Sequence, residues 1–135
     1  MHKENLFNMS MLLVRLLVGG IFASHGAQKL FGMFNGIGLE GTSRMVEGLG
    51  FPNPYLTAGI WGGIEFVGGI FLILGILVRF SSSLLVLTVL VMLWKTTLAH
   101  GFFVFEGGLE HHILVIAACI PLMFLGGGTW SVWDA

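Results

Sequence analysis

Four long apolar runs constrain this chain more than any other feature. They extend from about Met9 to Phe34, Pro54 to Val78, Ser82 to Gly101 and Gly108 to Leu125. A helix that crosses the hydrocarbon core needs about 20 residues, and each run is close to that length. Membrane strands are about 10 residues long and alternate with period two. These runs are unbroken and rich in Leu, Ile and Gly, so they predict helices rather than a β-barrel. Composition removes the other classes. The chain is 56% hydrophobic and 10% charged, against about 45–50% and about 25% for a soluble domain. Six basic and seven acidic side chains cannot cover a water-soluble surface. A net charge of −1 without a basic stripe argues against nucleic acid as a partner, and a single cysteine, Cys119, excludes a disulfide scaffold. The expected fold is therefore all-α: an integral-membrane four-helix bundle, one transmembrane domain over residues 1–135, in contact with the lipid bilayer.

The punctuation between the runs sets the connections. A charged head, Lys3 and Glu4, precedes the first run, which is longer than a signal-peptide core and is read as a retained helix. Pro52 and Pro54 open the second, Gly126–Gly127–Gly128 closes the fourth, and Pro121 should kink it. The longest connection, about Asn35 to Asn53, carries Glu40, Arg44 and Glu47 around Met45, Val46 and Leu49. It predicts a short interfacial helix capped by Thr42 or Ser43. The short turn at Arg79 makes the second and third spans antiparallel neighbours. With four spans, both termini and the Arg79 turn share one side. The Lys and Arg count is nearly tied across the bilayer and leans toward cytoplasmic termini. Trp130 and Trp133 have the character of interface anchors.

Ionisable groups inside hydrocarbon cost at least about 2.5–3.5 kcal/mol each, so they pair, face the bundle interior, or serve a function. Arg15, His25, Lys29, Glu65, Lys95 and His100 fall in or near the spans, and Glu110, His111 and His112 open the fourth. At about 1.5 Å per residue, His25, Gln28, Lys29, His100, Glu110 and His111 come to one end of the bundle. Glu65 lies about 16 Å into the second span. It shares a face with Gly62 and Gly69, so it should meet a neighbouring helix, with Lys95, Lys29 or Arg15 as candidate counter-charge. Arg15 and Arg79 read as snorkelling anchors, His112 as a water-facing side chain, and Cys119 as a packing residue. Ser24–His25–Gly26 with Gly62–Gly63–Ile64–Glu65 is echoed by Ala99–His100–Gly101 with Gly107–Gly108–Leu109–Glu110, a faint internal repeat.

Several functions are compatible with this set. His25, Gln28, Lys29 and His100 can donate to quinone carbonyls, and Glu65, Glu110 or His111 can relay protons. Phe102, Phe103, Phe105 and Trp94 could flank the ring. His25, His100, His111 and His112 could instead ligate a metal or haem, although no CxxC or HExxH spacing occurs. Intramembrane Glu, Lys and His also build transport paths for ions or small solutes. A non-catalytic scaffold locked by buried pairs is the fourth reading. No phosphate loop, nucleophilic triad or dinucleotide fingerprint is present.

The ordered motifs Arg15-Leu16-Leu17, His25-Gly26-Ala27-Gln28-Lys29-Leu30-Phe31-Gly32, Leu49-Gly50-Phe51-Pro52, Glu65 with its glycines, Gly75-Ile76-Leu77-Val78-Arg79 and His100-Gly101-Phe102-Phe103 resemble the DoxX family of small four-span membrane proteins. The resemblance runs from about Met9 to Ser131. It implies a multi-pass protein of the bacterial inner membrane with cytoplasmic termini. A related subfamily supplies the membrane subunit of a thiosulfate:quinone oxidoreductase, and other members are linked to oxidoreductase complexes or oxidative stress. The resemblance thus implies an oxidoreductase-associated role, with a membrane, periplasmic or cytoplasmic oxidoreductase or a second copy of the chain as partner.

Overall fold

The computed structural model describes residues 3–100 and 108–132, with side chains over 3–95 and 112–132. The described residues form five helices and no strand: α1 (Lys3–Phe31), α2 (Gly38–Gly48), α3 (Pro54–Leu74), α4 (Val78–His100) and α5 (Gly108–Leu125). Helices α1, α3 and α4 are long and apolar enough to cross a membrane, and α5 contains a shorter apolar stretch, His112–Leu125. The protein is a helical membrane bundle. Around it the order is α1, α3, α4, α5 and back to α1, with α2 packed across α1 and α3. Large apolar side chains such as Leu17, Leu87 and Leu114 point outward, as a bilayer requires.

Why α1 and α3 form the tightest pair follows from their glycines. The two helices run antiparallel, and their backbones touch. A Cβ on Gly26 would fall on the backbone of Phe66, and one on Gly69 would fall on the backbone of Ala23. A Cβ on Gly19 would lie 2.6 Å from the Gly69 carbonyl. Lipid tails are as apolar as leucine, so van der Waals contact between close backbones drives such association. Gly69→Ala must separate the helices and should destabilise the bundle by about 1–3 kcal/mol. Gly20→Ala meets nothing within 4 Å and should be neutral, or stabilise by up to about 1 kcal/mol through helix propensity. Thermal melts of the two variants in one detergent test this contrast; equal melting temperatures would contradict it.

Two apolar clusters fill the interior. One joins Met11, Val18 and Phe22 of α1 to Leu72, Leu85, Val89, Cys119 and Leu122. Cys119 is fully buried within it. The second, smaller cluster gathers Val46, Ala58 and Met92, with Leu39, Leu49, Phe51 and Trp61 around them. It seats α2 against α3 and α4.

Helix α2 starts earlier than its hydroxyl residues suggest. Ile37 is the N-cap and makes no side-chain cap bond. Thr42 and Ser43 are not caps but lie inside the helix, donating to the carbonyls of Gly38 (2.7 Å) and Glu40 (2.6 Å). The Thr42 hydroxyl also reaches the Lys29 carbonyl at 3.2 Å, which fastens α2 to the last turn of α1. The outer face of α2 carries an exposed Arg44–Glu40 pair at 2.6 Å, a surface contact worth at most about 0.5 kcal/mol.

Opposite α2, the bundle is closed by the segment that follows α5. Gly126, Gly127 and Gly128 are all buried and run beneath α1 and α3. Asn8 Oδ1 accepts from the Thr129 amide at 3.1 Å, and the Val132 amide donates to the Leu74 carbonyl at 3.0 Å.

The central polar site and the Arg15 clamp

The buried charges occupy two separate places. The first is the clamp formed by Arg15, which is 1% exposed. Its Nε donates to the Leu72 carbonyl at 3.0 Å and its Nη2 to the Ile73 carbonyl at 3.2 Å. Its Nη1 donates to the carbonyls of Gly127 (3.0 Å) and Trp130 (2.9 Å) and to the Ser131 hydroxyl (3.1 Å). The last turn of a helix has carbonyls without intrahelical partners and carries partial negative charge. A planar guanidinium can serve several of these at once. Arg15 therefore does not snorkel to the bilayer surface as its sequence position suggests; it ties α1 to the end of α3 and to the closing segment. Arg79, by contrast, is exposed.

The second place is a cavity of about 230 Å³ where α1, α3, α4 and α5 meet. His25, Lys29, Glu65 and His112 line it together with Phe22, Trp61, Val89 and Met92. Glu65 sits midway along α3, on the glycine-bearing face that is pressed onto α1. Lys29 reaches it from the last turns of α1, with Nζ 2.7 Å from Oε1 and side-chain exposures of 13% and 6%. The contact is a close, charge-assisted ion pair. The same ammonium lies 4.3 Å from the centre of the Trp61 ring, a distance at which the negative face of the ring attracts a cation. Lys29 is thus held by a carboxylate and by an aromatic face.

Of the three cations considered for Glu65, Lys29 is the one that reaches it. Lys95 lies over the rings of Phe51 (5.2 Å) and Trp94 (5.1 Å), and Arg15 is committed to the clamp. Gln28, although adjacent in sequence to Lys29, does not line the cavity; its Nε2 donates to the Phe34 carbonyl at 3.3 Å and braces the loop after α1. Trp94 is 58% exposed and is not part of the cavity wall. His100, Glu110 and His111 lie outside the residues whose side chains are described, as do Phe102, Phe103, Phe105 and Trp133. The second half of the internal repeat falls there too. Among the described residues, no group of three or more His, Cys, Asp or Glu side chains is placed to hold a metal ion.

Trp61 is a lining residue that the sequence does not single out. It precedes Glu65 by four residues, and that spacing places both on one face of α3. His112, a candidate ligand whose plainer reading is a water-facing side chain, also lines the cavity. Its position one turn into α5 was legible, but the direction of its side chain depends on how α5 is rotated in the bundle.

An antiparallel helical bundle with a buried Lys–Glu pair and two histidines around a central cavity defines a class of small polytopic membrane protein with an intramembrane polar site. Residues 10–101 match the DoxX family model, and the chain belongs to the DoxX family. It is also similar to a protein of Bacillus subtilis (strain 168) named "Putative oxidoreductase CatD", with 29% identity over 120 residues, 89% of this chain and 81% of the relative. No solved structure gives a significant match.

Proposed function

We propose that the chain is an inner-membrane protein serving redox metabolism, and that its central cavity binds the head of a quinone or quinol. One observation carries this reading: a cavity inside an apolar bundle is lined by four polar side chains, His25, Lys29, Glu65 and His112, interleaved with aromatic and apolar ones, Phe22, Trp61, Val89 and Met92. Lys29, His25 and His112 can donate to a carbonyl, and Glu65 can accept from a hydroxyl. Trp61 and Phe22 offer aromatic surface for a ring. At about 230 Å³, the space is smaller than the about 300–1,000 Å³ of a drug-sized ligand's pocket, which suits a single ring. The similarity to a protein named as an oxidoreductase supports the same direction. The only cysteine among the described residues is buried in the apolar core, so the electrons pass through the bound quinone and a partner oxidoreductase rather than through a thiol pair. Termini on the cytoplasmic side complete the proposal.

The test is binding of a quinone analogue to the purified protein in lipid nanodiscs. His25→Ala should weaken binding at least about tenfold, the loss of one hydrogen bond of about 1.5 kcal/mol in a buried site. Binding equal to that of the unsubstituted protein would remove His25 from the site. Native mass spectrometry of the same sample separates a bound quinone from a bound metal, haem or second protein.

A further inference from the structure

The central cavity borders a second space between α1 and α5. These two helices share the smallest interface in the bundle among the described residues. A second hollow of about 310 Å³ lies between them, lined by apolar side chains that include Val14, Leu17, Leu114 and Ala118. Ile21, Phe22 and Val115 line both this hollow and the central cavity. The two spaces therefore adjoin across these three apolar side chains, the inner space lined partly by polar groups and the outer one by apolar groups. At the outer lip, Leu17 is 68% and Leu114 69% exposed, so the hollow opens sideways, where lipid lies.

We infer that the α1–α5 hollow is a lateral passage for the chain of a membrane-borne amphiphile whose head occupies the central cavity. The ligand class is accordingly a ring with a long apolar tail rather than a small water-soluble molecule. This inference rests on the quinone reading of the cavity and adds the route and the tail. Glu65 supplies the inner end: it is 5% exposed and held by Lys29 at 2.7 Å, so a polar head arriving there meets a charged pair in otherwise apolar surroundings. Lipid tails are as apolar as the leucines of the passage. A tail therefore gains little by moving from lipid into the hollow, and the passage contributes access rather than affinity.

That distinction dictates the experiment. Binding of duroquinone, which has no tail, and of decylubiquinone, which has one, is measured calorimetrically in nanodiscs, with concentrations referred to the lipid phase. The unsubstituted protein should bind both within a few-fold of each other. Ala118→Phe should fill the hollow and weaken decylubiquinone binding at least tenfold while leaving duroquinone within twofold. Leu17→Trp, at the exposed lip where no core side chain must move, should shift the same ratio in the same direction. If both variants bind decylubiquinone as the unsubstituted protein does, the passage is wrong and the cavity reading stands. If neither compound binds the unsubstituted protein, or if Glu65→Gln leaves binding of both unchanged, the cavity reading fails and takes the passage with it.

Discussion

Replacing Arg15 with alanine is expected to destabilise the bundle more than any other single substitution in the chain. The side chain is 1% exposed and among the described residues donates to four carbonyls and a hydroxyl. Hydrogen bonds to a charged group contribute about 1.5–3 kcal/mol each, although not additively, and buried carbonyls left without donors add a desolvation cost. A loss of at least about 4 kcal/mol follows. Lysine should not rescue it. An ammonium carries its three donors on one atom, whereas the guanidinium spreads its donors across a rigid fork, and here that fork spans from α3 to the closing segment. Thermal melts in mild detergent should show Arg15→Ala and Arg15→Lys both far below the unsubstituted protein. Proteolysis should reveal early release of the segment after α5. A variant that keeps its melting temperature would mean that the carbonyls find other donors and that the clamp is dispensable.

The second large effect concerns Lys29 and Glu65, and here the expected outcome depends on whether one or both are changed. Lys29→Met leaves a carboxylate inside an apolar bundle without its cation and should cost about 3–5 kcal/mol. Changing both, Lys29→Met with Glu65→Leu, removes both desolvation costs together with their mutual attraction, and should return stability to within about 1–2 kcal/mol of the unsubstituted protein. The double variant should nevertheless bind a quinone analogue at least about tenfold more weakly, because the Lys29 donor and the Glu65 acceptor are gone and only His25 and His112 remain. Stability and binding would then separate in one protein. If the double variant is as unstable as Lys29→Met, the pair has a structural role that apolar packing cannot replace. If it binds as well as the unsubstituted protein, the pair is not part of the ligand site.

These two expectations mark the boundary between what was readable in the chain and what was not. The two buried cations have similar sequence signatures: each is a basic residue in the first apolar run. Nothing local distinguishes Arg15, which serves backbone carbonyls, from Lys29, which serves a carboxylate. The distinction arises because α1 and α3 are antiparallel and in contact. Their register sets Arg15 beside the last-turn carbonyls at the end of α3 and Lys29 beside its middle. The shared face of Gly62, Glu65 and Gly69 was legible from spacing, and it correctly announced that Glu65 meets another helix. Which cation waits there was not legible, since Lys95 lies at a similar depth on α4.

Gln28 and His112 show the same limit in opposite directions. Gln28 stands within the most specific motif of the chain, yet it faces the loop after α1. His112 lay at the edge of a span and was read as facing water, yet it lines the cavity. Sequence fixes a helical residue's height along the axis through the rise per residue. It fixes azimuth only relative to other residues of the same helix. Absolute azimuth is a property of the packed bundle.

The amino-acid sequence by itself therefore determined the solvent, the secondary structure and the family. Long apolar runs with few charges can satisfy their backbone in lipid only as helices, and the motif order from Arg15 to Phe103 carries the DoxX resemblance. The tertiary structure alone decided the partners: Lys29 with Glu65 and Trp61, Arg15 with the end of α3 and the closing segment, and a cavity where α1, α3, α4 and α5 meet. The physical reason is the close approach of glycine-bearing backbones. Gly19, Gly26 and Gly69 remove the side chains that would hold α1 and α3 apart, and that contact sets the rotation and register from which every buried pair follows.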